Sequence, residues 1–406
     1  MTARQWRAAL VVCVPLLIGQ ALVITRTYGA ADPELRIRGD SESYIAMAAG
    51  VPADSVMVPF RYRVAVPAIL SLLPMAPHQA LRLVSLAALV ATQLILLRIG
   101  RRMGIPAPDA SATVLLVSLT TAMLYVHHNP FLLDLFTLLM ITIAFSGLLG
   151  QRPVLFAAAI AIGTAGREAC LFMAPAYLLT QMLTRTSTGT SSRVIPVAGM
   201  VVPAAVFLIP RMLPALGGDG LSSYSRFYAR SAGQWGPERD LVGFIIDVAM
   251  SWEWLWFAAL GGLALQGIRG AAVRMRGLDP TWASNAVRIS FALLTAGGML
   301  VLVINGGYDP ARHFLIVAPP LAIASMSALA AWRASLAPWA FGTGVAGLAG
   351  LTFLSAMIRL PNRALDSAIR WQMPLWAVVA LALGLVAGAF MALAAADARR
   401  VRGATP

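Results

Sequence analysis

Long apolar runs separated by short polar breaks dominate the chain. Ala8–Ile24, the run around Val114–Tyr125 and Leu375–Ala395 are examples. About 18 or more consecutive apolar residues suffice to cross a bilayer as a helix. Strands of a membrane barrel would alternate apolar and polar residues, and these runs do not alternate. Helices, which satisfy their own backbone hydrogen bonds in lipid, are therefore expected. The pattern predicts spans over 8–25, 79–99, 110–128, 131–149, 153–165, 168–184, 194–213, 243–267, 286–305, 312–332, 337–357 and 374–396. The stretch 153–165 is short. The stretch 243–267 contains Asp247 and Glu253 and is expected to start at the interface and enter the membrane near Trp252. The expected fold class is an all-α integral membrane protein of about 12 transmembrane helices. Residues 1–406 read as one polytopic membrane domain, with no internal repeat and no appended soluble domain.

Two longer polar segments interrupt the pattern. Residues 26–78 form a long first external (periplasmic) loop carrying short interfacial helices. One such helix is expected over Gly39–Ala48, and the apolar, proline-bounded Val64–Leu73 reads as half of a re-entrant hairpin or as an interfacial helix. Residues 211–241 form the second long external loop, where Tyr224, Arg226, Phe227, Tyr228, Arg230 and Trp235 suit the headgroup zone.

Composition agrees with a membrane protein: 59% of residues are apolar and 12% charged, against about a quarter charged in soluble domains. The net charge of +14 comes entirely from arginine, and no lysine is present. With an N-terminus in the cytoplasm, 16 arginines fall at inner tails, loops and helix ends, among them Arg98, Arg101, Arg102, Arg269, Arg274, Arg276, Arg399 and Arg400. That is the cytoplasmic arginine bias of membrane proteins; it places both termini in the cytoplasm of a bacterial inner membrane. No basic cluster is interleaved with stacking aromatics, so no nucleic-acid partner is expected. Met1–Arg7 followed by Ala8–Ile24 reads as an uncleaved first helix rather than a signal peptide. Cys13 and Cys170 lie in apolar runs and form no metal-ligand spacing.

Under this topology 14 of the 17 acidic residues lie at the outer side; Asp109, Asp279 and Asp397 are the inner ones. Asp40 precedes a helix-like stretch, either as a simple N-cap or as a general base that the cap holds in place. Arg61 and Arg63 bracket Tyr62; in an extended segment they would point the same way and clamp a phosphate, or they snorkel to headgroups. His127-His128-Asn129-Pro130 closes a tight outer loop ahead of Asp134, a carboxylate inside a span and so a site candidate by default. The alternative for Asp134 is a structural place at a helix N-terminus. A divalent metal on these histidines is left as an option, but adjacent histidines rarely face one ion, and no cofactor is required. Arg167-Glu168 reads as a self-paired ion bridge or as two site groups. Tyr308-Asp309-Pro310-Ala311-Arg312-His313 forms another outer turn. Arg312 there opposes the helix dipole and calls for an anionic partner, Asp309 or a ligand phosphate. The following Pro319-Pro320 is expected to kink the next span.

These features together resemble the GT-C superfamily of polytopic membrane glycosyltransferases: Asp40 before a short helix with Tyr44 in the long first loop, Asp134 after Asn129-Pro130, and Arg312 opening Arg-His-Phe-Leu-Ile-Val-Ala-Pro-Pro. Pro-Phe-Arg-Tyr-Arg-Val also resembles uncharacterised bacterial members. An Asp-x-Asp pair and a C-terminal soluble domain, features of better-known members, are not found. The resemblance implies transfer of a sugar from a polyprenyl-phosphate donor to a glycan or lipid acceptor on the external face, with inversion. It implies Asp40 as general base, with Asp134 as the second catalytic carboxylate, orienting hydroxyls with Glu168. Arg61, Arg63 and Arg312 would meet the lipid phosphate, with Tyr44, Arg167, Asp309 and His313 around the substrate. A secondary transporter or flippase of a lipid-linked or anionic substrate is the rival class. Transporters place ionisable groups near the midplane and show repeats, whereas here the acids gather at one face.

Overall fold

The computed structural model describes residues 40–120, 132–150, 152–184, 194–213 and 314–359, with isolated positions at 123, 222, 255, 256, 258 and 259. These residues form ten α-helices, and no strand occurs among them. They are α1 (Asp40–Ala48), α2 (Ala65–Ser71), α3 (Pro77–Arg102), α4 (Ala107–Ser118), α5 (Asp134–Leu149), α6 (Pro153–Gly166), α7 (Met173–Thr184), α8 (Val194–Met212), α9 (Ala318–Ser335) and α10 (Pro338–Arg359). Tight 3₁₀ turns lie at Ala53–Ser55, Phe60–Tyr62, Glu168–Phe172 and Phe314–Val317.

Helix boundaries follow local chemistry. Proline opens α3, α6 and α10, where its missing N–H is one that the first turn leaves unpaired anyway. After α3, Gly104 adopts φ +68°, and Ile105 N–H donates to the Gly100 carbonyl at 3.0 Å. That left-handed cap turns the chain sharply, and Pro106 then leads into α4. By length and composition, Pro77–Arg102 and Leu315–Ala334 are long and apolar enough to cross a membrane; α3, at 26 residues, is about 39 Å long. Shorter apolar helices include Asp134–Leu149, which packs on Pro77–Arg102, and Pro153–Gly166, which packs on Asp134–Leu149.

Eight of the expected spans coincide with described helices, among them the short 153–165, which is α6. Those at 8–25, 243–267, 286–305 and 374–396 lie outside the described residues apart from the isolated positions, as does most of the loop 211–241. Two expectations change. The span 168–184 begins with a 3₁₀ turn before α7. Pro319 and Pro320 do not kink a helix interior: they stand in the first turn of α9, where proline removes no helical hydrogen bond. Val64–Leu73 resolves into the seven-residue α2.

α8, α6, α5, α3 and α4 stand in sequence, each packed on the next. α9 packs against α4, α3 and α5. α1 and the Phe60–Tyr62 turn sit together at one end, and α2 lies across both α3 and α6. The contiguous apolar core runs through the helices and includes Tyr44 and Phe60 from the first loop, so that loop is anchored to the bundle.

Candidate active site at one end of the bundle

Tyr44 is the largest side chain that α1 commits to the core, and its relative exposure is 0%. Its ring meets Phe60 edge-on, with centroids 5.9 Å apart and planes at 88°, a favoured aromatic geometry. The hydroxyl accepts a 2.6 Å hydrogen bond from Arg63 Nη1. The same guanidinium donates from Nε to Glu168 Oε2 at 2.9 Å and from Nη2 to Oε1 at 2.5 Å. This is the forked arginine–carboxylate geometry, stronger and more directional than a lysine contact. The Phe60 ring lies 5.1 Å from the guanidinium carbon and adds a cation–π contact. Burial alone would lower the Arg63 pKa; the Glu168 carboxylate, together with Tyr44, outweighs it and raises the pKa well above the ordinary arginine value. Arg63 is thus a fixed, fully charged joint between the first loop and the α6–α7 connection.

The neighbouring Arg167 reaches the other way, donating from Nη1 to Asp134 Oδ1. Asp134, at the start of α5, is 1% exposed and Arg167 7%. The self-paired reading of Arg167-Glu168 is therefore corrected. Arg167 has extended backbone, φ −159° and ψ 127°, and consecutive side chains of an extended segment point to opposite sides. One dipeptide thereby ties two partners: Arg63 of the first loop and Asp134 of α5.

The parallel clamp expected of Arg61 and Arg63 is corrected as well. Phe60–Tyr62 is a 3₁₀ turn, not an extended strand. With three residues per turn, positions two apart face about 120° away from each other. Arg63 turns inward to Glu168. Arg61 donates to its neighbour's Tyr62 hydroxyl at 3.0 Å and lies 5.0 Å from that ring's centroid. Arg211, at the end of α8, approaches the same ring at 4.8 Å, stacks on Phe207 at 3.8 Å and donates to the Phe207 carbonyl at 2.5 Å. Arg211 was assigned by sequence to the loop after α8; its position four residues beyond Phe207 on a helix is the signal that points it here.

Asp40 is the first residue of α1 and is partly exposed. It stands one turn before Tyr44, about 6 Å along the helix axis. Asp40, Tyr44, Arg61, Arg63, Asp134, Arg167, Glu168 and Arg211 come from four separate stretches of chain that meet at one end of the bundle. Asp309, Arg312 and His313, with His127 and His128, lie outside the described residues. No group of three metal-ligating side chains gathers among the described residues.

The sequence matches no protein-family model and no curated protein. The structure is similar to the crystal structure of ArnT from Cupriavidus metallidurans bound to undecaprenyl phosphate, with a TM-score of 0.58 and 16% identity. The similarity covers 97% of this chain and 76% of that one. ArnT is a GT-C glycosyltransferase. The fold of this chain is GT-C-like. At 16% identity the likeness concerns architecture; the chemistry has to be argued from this chain's own side chains.

The first loop, carrying α1, α2 and the Arg-Tyr-Arg turn, is fastened to the bundle by Arg63 and by apolar burial of Tyr44 and Phe60. Asp40 is partly exposed at the start of α1. Sequence reasoning missed Asp109–Arg333 entirely. Arg333 Nε donates to Asp109 Oδ1 at 2.6 Å, and both residues are buried at the opposite end of the bundle. The two are 224 residues apart in sequence, so only the fold could reveal the pair.

Proposed function

We propose that this protein is a membrane glycosyltransferase that moves a sugar from a polyprenyl-phosphate donor to a glycan or lipid acceptor on the external face of a bacterial inner membrane, with both termini in the cytoplasm. The observation that carries the reading is the convergence of Asp40, the Arg61-Tyr62-Arg63 turn and the Arg167-Glu168 dipeptide at one end of a GT-C-like fold. The neighbour of that fold was crystallised with undecaprenyl phosphate, a lipid of the class proposed here.

In this reaction the Asp40 carboxylate takes the proton of an acceptor hydroxyl. The hydroxyl oxygen forms a bond to the anomeric carbon as the bond from that carbon to the phosphate oxygen breaks. The configuration inverts, and the lipid phosphate leaves as an anion. A positioned general base supplies a factor of about 10² to 10⁴. Arg61, with Arg312 and His313 from the late outer turn, meets the developing phosphate charge in a site of low dielectric. Arg63, Tyr44, Glu168, Arg167 and Asp134 act as positioning residues: they hold the first loop and α5 in register so that Asp40 faces the acceptor. Asp309 orients Arg312.

The test uses purified full-length protein in nanodiscs with a panel of polyprenyl-phosphate sugars and candidate acceptors, following release of lipid phosphate. Release by the wild type that is lost in Asp40→Asn, with donor binding retained, is the expected result. Donor binding equal in both proteins, with no release in either, would overturn it in favour of a carrier or flippase.

A further inference from the structure

The Tyr62 ring serves two guanidiniums. Arg61 lies 5.0 Å from its centroid and donates from Nη2 to its hydroxyl at 3.0 Å. Arg211 lies 4.8 Å from the same centroid. Tyr62 and Arg211 are buried, whereas Arg61 is partly exposed. In the proposed reaction Arg61 meets the donor phosphate, so whatever holds Arg61 bears on that reaction.

Arg211 is the fixed end of this chain of contacts. It stands in the last turn of α8, where its guanidinium stacks on the Phe207 ring at 3.8 Å and Nη1 donates to the Phe207 carbonyl at 2.5 Å. The last carbonyls of a helix lack backbone partners, and an arginine side chain there satisfies them and meets the negative end of the helix dipole. α8 is in turn packed on α6, the helix that ends at Arg167.

Arg61 is the adjustable end. Its side chain is long and has many rotamers, and a charge that has to meet a phosphate at one place loses effect when it wanders. The Tyr62 hydroxyl takes one of its N–H groups, and the ring attracts its charge. Arg211 acts on this arrangement twice. It holds the ring by the same kind of cation–π contact, and its charge repels that of Arg61. Each guanidinium carbon lies within 5.0 Å of one centroid, so the two are no more than about 10 Å apart, roughly one Debye length at ordinary salt. The repulsion favours positions of Arg61 away from Arg211, and an anion at Arg61 relieves it.

We propose that Tyr62 and Arg211 are positioning residues for Arg61: the end of α8, acting through the Tyr62 ring, holds the guanidinium that meets the phosphate of the lipid donor. The inference rests on the transferase reading, in which Arg61 meets that phosphate. The Phe60–Tyr62 turn is then tied on both sides, by Arg63 to Glu168 and by Tyr62 to Arg211.

The experiment measures binding of undecaprenyl phosphate to the full-length protein in nanodiscs. The wild type is expected to bind, and Arg61→Gln should lower the affinity about tenfold, the loss of one charge-assisted contact. Tyr62→Phe, which keeps the ring and removes the hydroxyl, and Arg211→Gln should each lower it severalfold. Arg211→Lys should recover part, because it keeps a charge over the ring. The deciding measurement repeats Tyr62→Phe and Arg211→Gln in the Arg61→Gln background. Neither should lower the affinity further there, since residues that act through a third lose their effect once it is removed. Should Arg211→Gln fail to fold, Tyr62→Phe, which keeps the packing, carries the test alone. Losses equal with and without Arg61, or an unchanged affinity in both single variants, would overturn the inference and leave the transferase reading standing. No binding by the wild type, or binding that Arg61→Gln does not weaken, would remove Arg61 from the phosphate and the inference with it.

Discussion

At Arg63 a single guanidinium meets the Tyr44 hydroxyl, both oxygens of Glu168 and the Phe60 ring. Removing one partner from such a buried pair leaves the other charge uncompensated, at a cost of about 3–5 kcal/mol. Arg63→Ala is therefore expected to lower the melting temperature in detergent steeply. Arg63→Lys should recover only part of the loss, because an ammonium cannot make the two parallel bonds. Tyr44→Phe keeps the packing but removes the acceptor of one donor, a loss of about 1–3 kcal/mol. Because the Arg63 pKa is raised in the fold, its contribution is fully present below the ordinary arginine pKa and is lost only as pH rises through the still higher folded value. Equal melting of wild type and Arg63→Ala would mean that the joint does not hold the loop.

Between elements, close helix approach depends on two devices. α6 meets the turn after it at Gly163, where an added Cβ would lie 2.6 Å from Cys170 Sγ and 2.9 Å from Met140 Cβ. Gly163→Ala should cost about 1–3 kcal/mol through overpacking. Combining it with Cys170→Ala should restore part of that stability, and thermal melting of the single and double variants checks this. The second device joins α4 to α9 through Asp109 and Arg333. Asp109→Ala or Arg333→Met alone should destabilise by about 3–5 kcal/mol, whereas Asp109→Leu with Arg333→Met should approach wild type, since buried ion pairs replaced whole by apolar residues are often neutral. A double variant as unstable as the worse single one would show that the pair does more than close a desolvated contact. Among the helix ends that proline marks, that at Pro153 was legible in advance. The 3₁₀ starts at Glu168 and Phe314 were not, because an apolar run reads the same whichever helix type it forms.

For the molecule as a whole, the Arg63 joint and the end of α3 at Arg101 mark two ends of the bundle, which the proposed topology places on opposite sides of the membrane. Single cysteines placed at the exposed Asp54 and Arg101, in a background lacking Cys13 and Cys170, should label with a membrane-impermeant maleimide from opposite sides. Position 54 is expected to react in intact spheroplasts, and position 101 only after permeabilisation. Labelling of both from one side would overturn the topology on which the site assignment rests.

The linear sequence was sufficient for the helical class and for the places of eight of the described helices. Hydropathy and arginine bias are properties of local stretches and of the solvent they partition into, so no tertiary contact is needed to read them. The partners were another matter. Arg167 and Glu168 are adjacent, yet one binds Asp134 and the other Arg63; Arg61 and Arg63 are near neighbours, yet they turn away from each other. Side-chain direction in turns is set by dihedral angles that hydropathy does not encode. The choice of a buried charge's partner is set by which segments packing brings within hydrogen-bond reach. Arg333 on Asp109 and Arg211 on Tyr62 belong to the same class: long-range pairs fixed by the low-dielectric interior, which excludes water and leaves a charged group only the partner that the fold supplies.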